Sequence, residues 1–302
     1  MPRWLALLTL IAGVGCGGRS IKVNPMDGGN ADGASGADGA PGADEGPDGT
    51  DQGAELPTRF PVPPGCENVQ FVGGIFVGYP TAMSFDEALQ LAVRQQQLGH
   101  PIDLSIIGSS STDGLECFDG LIKGFVSFMD CSGPLRITRL PKGTKELRVD
   151  ESCPVIDISG VAGVPRVTID DASANTDFSP LVGATYVQML RKAVRLDAIA
   201  PYVLGASALL LTVEATSLAP LNDASTQYLW INGQGLHSVA DFTPPPTLLC
   251  FGIVLDPTAS AEEQAAVAQA LCSRTRQGPD CPDYRNSCCW NAQGMFLDCG
   301  SL

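Results

Sequence analysis

Eight short β-like runs recur along this chain at nearly constant spacing, and that regularity limits the fold more than any other feature. They are Ser105-Ile106-Ile107, Val126-Ser127-Phe128, Leu147-Arg148-Val149, Val167-Thr168-Ile169, Val187-Gln188-Met189, Leu209-Leu210-Leu211, Leu229-Trp230-Ile231 and Phe251-Gly252-Ile253, and their centres step by 21, 21, 20, 20, 22, 20 and 22 residues. A run this short cannot bury its own apolar face, so regularly spaced runs are expected to stack on one another. The segments leading into them are patterned as well. Ile158, Val161, Val164, Val167 and Ile169 are spaced 3, 3, 3 and 2, and Phe178, Leu181, Ala184, Val187 and Met189 repeat that spacing. Phe178-Ser179-Pro180-Leu181 and Leu218-Ala219-Pro220-Leu221 share an apolar–small–Pro–Leu signature.

Over roughly residues 120–245 this pattern resembles the short bacterial leucine-rich repeats of internalins, or the related receptor L domain. The resemblance implies an α/β fold of a particular kind: a β-solenoid of leucine-rich-repeat type, with a period of about 20 residues and with helical and disulfide-rich end caps. The asparagine that normally follows each strand appears only at Asn232; Glu151, Asp171 or Leu190 stand near that place elsewhere. A parallel β-helix or another β-solenoid is the main rival, and a non-repeating α/β domain with coincidental spacing is a further alternative. In a leucine-rich repeat the residue between the two apolar strand positions points to the binding face. Carried onto this chain, that rule selects Arg148, Thr168, Gln188, Leu210 and Trp230, with Asp150, Asp170 and Asn232 beside them. Trp230 is the sharpest candidate, as an interface anchor or a platform for sugars. The opposite reading puts Trp230 in the core and turns Leu229 and Ile231 outward.

Two helices flank the repeat. Ser84-Phe85-Asp86-Glu87 is a capping box followed by Ala88, Leu89, Leu91, Ala92 and Val93, with Gly99 as the stop. Ser260-Ala261-Glu262-Glu263 opens a second helix through Leu271 and Cys272. Pro244-Pro245-Pro246 marks a break. The expected organisation is a signal peptide at 1–15, a lipidated N-terminus and acidic tether at 16–58, an N-terminal cap region at 59–119, a repeat region at 120–245 and a Cys-rich C-terminal cap at 246–302.

The first sixteen residues carry an address. Arg3 precedes an apolar run from Trp4 to Val14, shorter than the ~20 residues a membrane span needs and of the length of a signal-peptide core. The run ends Gly13-Val14-Gly15-Cys16, which resembles the lipobox of bacterial lipoproteins, although Gly13 replaces the usual Leu. The resemblance implies cleavage before Cys16 and lipidation of Cys16. Gly17 is not the aspartate that retains such proteins in the inner membrane, so the expected location is the cell envelope, with the outer membrane favoured.

Cysteine parity agrees. The chain has 11 cysteines; setting Cys16 aside leaves an even set of disulfide candidates, Cys66, Cys117, Cys131, Cys153, Cys250, Cys272, Cys281, Cys288, Cys289 and Cys299. Their connectivity stays open. Six fall between Cys250 and Cys299, which suggests a stapled C-terminal end. No C-x-x-C occurs and His100 and His237 lie far from the cluster, so no metal and no cofactor are expected.

Residues 24–58 hold eight acids (Asp27, Asp32, Asp38, Asp44, Glu45, Asp48, Asp51 and Glu55) and no Lys or Arg, amid Gly, Ala, Pro and Asn. With little apolar surface to offset its ordering entropy, this stretch reads as a disordered, self-repelling spacer between a lipid surface and the folded part. The chain carries a net charge of −15. A nucleic-acid binder would need a basic face, so none is expected as a partner.

No catalytic motif stands out. There is no G-x-S-x-G elbow, Ser109-Ser110-Ser111-Thr112 reads as a polar loop, and His237 sits in the turn after Ile231. Asp150-Glu151 and Asp170-Asp171 follow strands, where adjacent side chains diverge and are poorly placed to flank one glycosidic bond. The reading is therefore a lipid-anchored envelope lipoprotein acting as a non-catalytic recognition module for a protein or glycan. A structural lipoprotein without a soluble ligand is the alternative, and an extracytoplasmic hydrolase comes third.

Overall fold

Alternate residues of each run are apolar, and burying them on one side dictates a sheet. The computed structural model describes residues 59–274, apart from positions 68, 79–80, 101 and 249, together with two short strands at 289–290 and 296–297. Apart from Arg59, these residues belong to one unit, Phe60–Leu302. Its strands are β1 (Gly74–Val77), β2 (Leu104–Ile107), β3 (Phe125–Met129), β4 (Leu135–Arg136), β5 (Glu146–Val149), β6 (Val155–Asp157), β7 (Arg166–Ile169), β8 (Tyr186–Arg195), β9 (Ala208–Glu214), β10 (Tyr228–Gln234), β11 (Cys250–Val254), β12 (Cys289–Trp290) and β13 (Phe296–Leu297). The helices are α1 (Phe85–Gln97), α2 (Leu196–Val203) and α3 (Ala261–Arg274).

Nine strands form one sheet in the order β1-β2-β3-β5-β7-β8-β9-β10-β11. β1 runs antiparallel to β2, and every other neighbouring pair is parallel. β4 and β6 form a small parallel ladder of their own. The six C-terminal cysteines from Cys250 onward, like the lipobox at Cys16 and the acidic tether, lie outside the residues whose side chains the structure describes.

The leucine-rich-repeat solenoid expected from the spacing is overturned. The described residues instead build a large, mostly parallel nine-stranded sheet with few helices, an α/β-like fold. Among the described residues the disulfides are internal: Cys66 pairs with Cys117, and Cys131 with Cys153. The physical reason is that constant spacing reports only the length of one strand plus one return connection. Any parallel pair needs such a crossover of a dozen or more residues. The returns are not copies of one another. α1 joins β1 to β2, 3₁₀ turns at Ser159–Val161 and Ser179–Leu181 precede β7 and β8, and α2 stands at the corresponding place before β9.

The core lies between the sheet and its returns. Each strand of the long sheet from β2 to β10 sends at least two side chains inward, among them Leu104 and Ile106, Val126 and Phe128, Val167 and Ile169, and Leu229 and Ile231, all buried. The three-residue spacing of the returns now has its cause. A 3₁₀ helix has about three residues per turn, so positions three apart lie on one side of it. Ile158, Val161 and Val164 are buried in this way, as are Phe178, Leu181 and Ala184. Ser84 caps α1, and its box with Glu87 is complete in both directions. Ser260 and Glu263 exchange the same pair of bonds at α3.

Where repeat proteins would use asparagines, hydroxyls bridge successive connections. Thr185 donates to the Pro165 carbonyl, Ser207 to Thr185, Thr226 to Ser207 and Thr247 to Thr226, at 3.0, 2.9, 3.1 and 3.0 Å. β8 carries a bulge: Met189 pairs with Leu211 but Val194 with Val213, so the segment between them loops out of register.

Candidate binding surface

Because side chains alternate along a strand, the residue between two buried ones must face away from the core. The register places Ser105, Ser127, Arg148, Thr168, Gln188, Leu210, Trp230 and Gly252 side by side across the sheet. The residues selected in the sequence, Arg148, Thr168, Gln188, Leu210 and Trp230, thus share one row. Trp230 is partly exposed while Leu229 and Ile231 are buried, so the indole belongs to the outer face. Asn232 lies two positions further along β10, in register with Thr212 and Val254.

A second row runs two residues earlier and was not singled out in the sequence: Phe125, Glu146, Arg166, Tyr186, Ala208 and Tyr228. The signal was available, since stepping back by two from Arg148, Thr168, Gln188 and Trp230 reaches four of its members.

The two rows interlock. Arg148 Nε donates to Glu146 at 2.7 Å, and Arg166 Nε lies 3.5 Å from the other oxygen of the same carboxylate. The Arg148 guanidinium sits over the Phe125 ring at 4.7 Å and that of Arg166 over Tyr186 at 4.5 Å. The Tyr186 hydroxyl donates to Gln188 Oε1 at 2.6 Å. Burial raises the Tyr186 phenol above its ordinary value, against the opposing pull of Arg166. The hydrogen bond to Glu146 raises the Arg148 guanidinium. Such half-exposed contacts contribute only about 0.5–1 kcal/mol each. Their effect is to hold the rings and guanidiniums in fixed orientations.

Towards the strand ends two of the acids meet bases of the β8 bulge. Arg191 lies 3.0 Å from Glu151, and Lys192 lies 3.2 Å from Asp171. That Asp171 oxygen is buried and has no hydrogen bond of good geometry, so the Lys192 charge is its compensation. Asp150 accepts from the backbone N–H and hydroxyl of Ser152. Burial pushes the Asp170 carboxyl up, Arg191 opposes the shift, and Glu151 and Asp150 reinforce it. Two bases, Arg191 and Lys192, thus face four acids in this corner, which leaves it acidic.

His237 Nδ1 is 3.3 Å from Glu263, and His100 Nδ1 is 2.7 Å from Gln95. Neither imidazole is hydrogen-bonded to a serine among the described residues. Thr112 is buried, and its hydroxyl oxygen accepts from the Thr138 and Arg139 N–H groups. An open groove of about 470 Å³ lies at the C-terminal ends of β8, β9 and β10, lined by Arg195, Asp197, Glu214, Thr216, Ser217 and Gln234 among others. Consecutive strands are neighbours throughout the long sheet except where β4 and β6 are skipped, so it lacks the reversal of strand order at which open α/β sheets bind nucleotides.

No family model, no curated protein and no solved structure matches this chain.

Proposed function

We propose that this chain is a lipid-anchored envelope lipoprotein whose folded part is a non-catalytic recognition module, engaging its partner through the outer face of β5 and β7–β10. The observation that carries the reading is the pair Tyr228 and Trp230. Two residues apart on β10, they face away from the core beside Ala208 and Leu210, with Gln188 one strand further on. Tyr228 is 50% exposed. Large aromatics presented on a regular sheet face are the usual anchors of binding surfaces.

The disulfides indicate an oxidising, extracytoplasmic compartment. No helix among the described residues is long and apolar enough to cross a membrane. Attachment through lipid on Cys16, with the outer membrane as its site, is the finer part of the proposal and rests on the Gly13-Val14-Gly15-Cys16 stretch. Cys16→Ser is expected to abolish incorporation of labelled palmitate and to move the protein out of the membrane fraction. Unchanged labelling would remove the lipid anchor from the reading.

Recognition is tested with Trp230→Ala in the full chain. Photo-crosslinking in envelope extracts is expected to capture a partner with the parent and lose it with the variant. The thermal midpoint should stay within about 2 °C, because the lost side chain is partly exposed rather than core. A loss of several kcal/mol in stability would instead place the indole among the structural residues. Capture by neither form would favour the structural envelope role.

A further inference from the structure

We propose that the partner of this face is an uncharged oligosaccharide, an assignment that rests on the recognition reading above and specifies its ligand. The outer residues of β8–β10 that form the middle of the face are Tyr186, Gln188, Ala208, Leu210, Tyr228, Trp230 and Asn232. None is charged, in a chain whose net charge is −15. The basic groups that border the stretch are matched. Arg148 and Arg166 share Glu146, with Asp103 adding a second negative charge near Arg148. Arg191 faces Glu151, and Arg195 pairs with Asp197 and lies opposite Glu214 in the register. An anionic ligand laid on β8–β10 would meet no free counter-charge there. A neutral one would lose nothing by that absence.

The chemistry of the stretch is also amphipathic in the manner of a sugar ring, which has a C–H face and a rim of hydroxyls. The Tyr228 and Trp230 rings supply apolar faces. Small residues stand beside each of them in the register, Ala208 next to Tyr228 and Gly252 next to Trp230, which leaves space alongside the rings. Hydroxyl partners are supplied by the Trp230 indole N–H, the Tyr228 hydroxyl, the Asn232 amide and the Gln188 amide nitrogen. Among the described residues none of these groups has a hydrogen-bond partner. With neighbouring strands ~4.8 Å apart, Gln188 on β8 stands about 10 Å from Trp230 on β10, room for more than one sugar ring.

A protein partner is less well matched. The core of a protein interface is apolar. The exposed large apolar side chains described are Val72, Leu98, Val182 and Tyr228, and of these only Tyr228 belongs to this face.

The experiment is an array of neutral and anionic oligosaccharides probed with the full chain. Each bound member is then titrated by the tryptophan fluorescence of the parent, and by calorimetry for the parent and each variant. Binding to neutral members is expected, weakened about tenfold or more by Trp230→Ala and by Tyr228→Ala. Asn232→Ala, a change at a partly exposed polar group, tests the same site should either aromatic variant fail to fold, and it too should weaken binding. Binding to anionic members alone, to no member, or with affinity unchanged in all three variants would overturn the assignment. The two readings fail separately. An empty array with Trp230-dependent capture in envelope extracts removes the sugar and keeps the recognition surface, whereas loss of both removes both.

Discussion

Gly160→Ala is expected to destabilise the protein by about 3 kcal/mol, far more than an ordinary glycine-to-alanine change. Gly160 sits in the 3₁₀ turn before β7, where its N–H donates to the Ile137 carbonyl at 2.7 Å. A Cβ added there would stand 2.2 Å from the Arg139 nitrogen and 2.3 Å from the Thr138 carbonyl carbon. Those atoms are backbone of the neighbouring return and cannot swing aside. Gly160 is not among the glycines of positive φ, so the whole cost arises from contact between two chain segments. Gly163 is the control. Its φ of +83° lies in the left-handed region but nothing lies within 4 Å of a Cβ, so Gly163→Ala should cost only the conformational strain, about 1–2 kcal/mol. Urea unfolding of the three proteins at constant slope measures the difference. Equal midpoints for Gly160→Ala and the parent would show that the turn slides to accept the methyl group.

Removing the Cys66–Cys117 disulfide is the second large effect. The bond closes a loop with a sequence separation of 51 residues, and constraint of the unfolded chain over that length is worth about 4 kcal/mol at 25 °C. Both cysteines are buried, and the bond ties the irregular segment before β1 to the 3₁₀ turn Leu115–Phe118. The joint variant Cys66→Ala, Cys117→Ala should lose that stability and expose the segment around Phe60 to proteases first. The corresponding variant of Cys131 and Cys153, with a separation of 22, should lose about 3 kcal/mol. A loss below about 1 kcal/mol for the longer loop would mean that the unfolded chain is already constrained there.

Several parts of this fold were legible along the chain. The inward positions of the long-sheet strands follow from period-two alternation, and Ser84 and Ser260 announce the starts of α1 and α3 by their spacing to Glu87 and Glu263. The same alternation put Arg148, Thr168, Gln188, Leu210 and Trp230 in one row once the strands were aligned. Other features left no mark. Glu146 serves two arginines, one on its own strand and one on β7. Arg191 and Lys192 meet Glu151 and Asp171 only because β8 bulges there. The solenoid expectation went wrong at the same level: equal spacing was read as equal units, whereas α1, α2 and the 3₁₀ turns are different solutions to one length requirement.

What the sequence by itself determined is what acts along a single segment: which side of each strand is apolar, where two helices begin, the parity of the cysteines and the acidic stretch ahead of Arg59. Periodicity, capping and charge density are local properties, readable within a dozen residues. The tertiary structure alone decided that β1 turns antiparallel at the edge, that Cys66 pairs with Cys117, that Gly160 must be bare and that Trp230 shares a face with Gln188 across β9. Each of these depends on residues brought together from about 20 to 50 positions apart. Such pairings are chosen by the cooperative burial of the whole core, which no short stretch of sequence encodes.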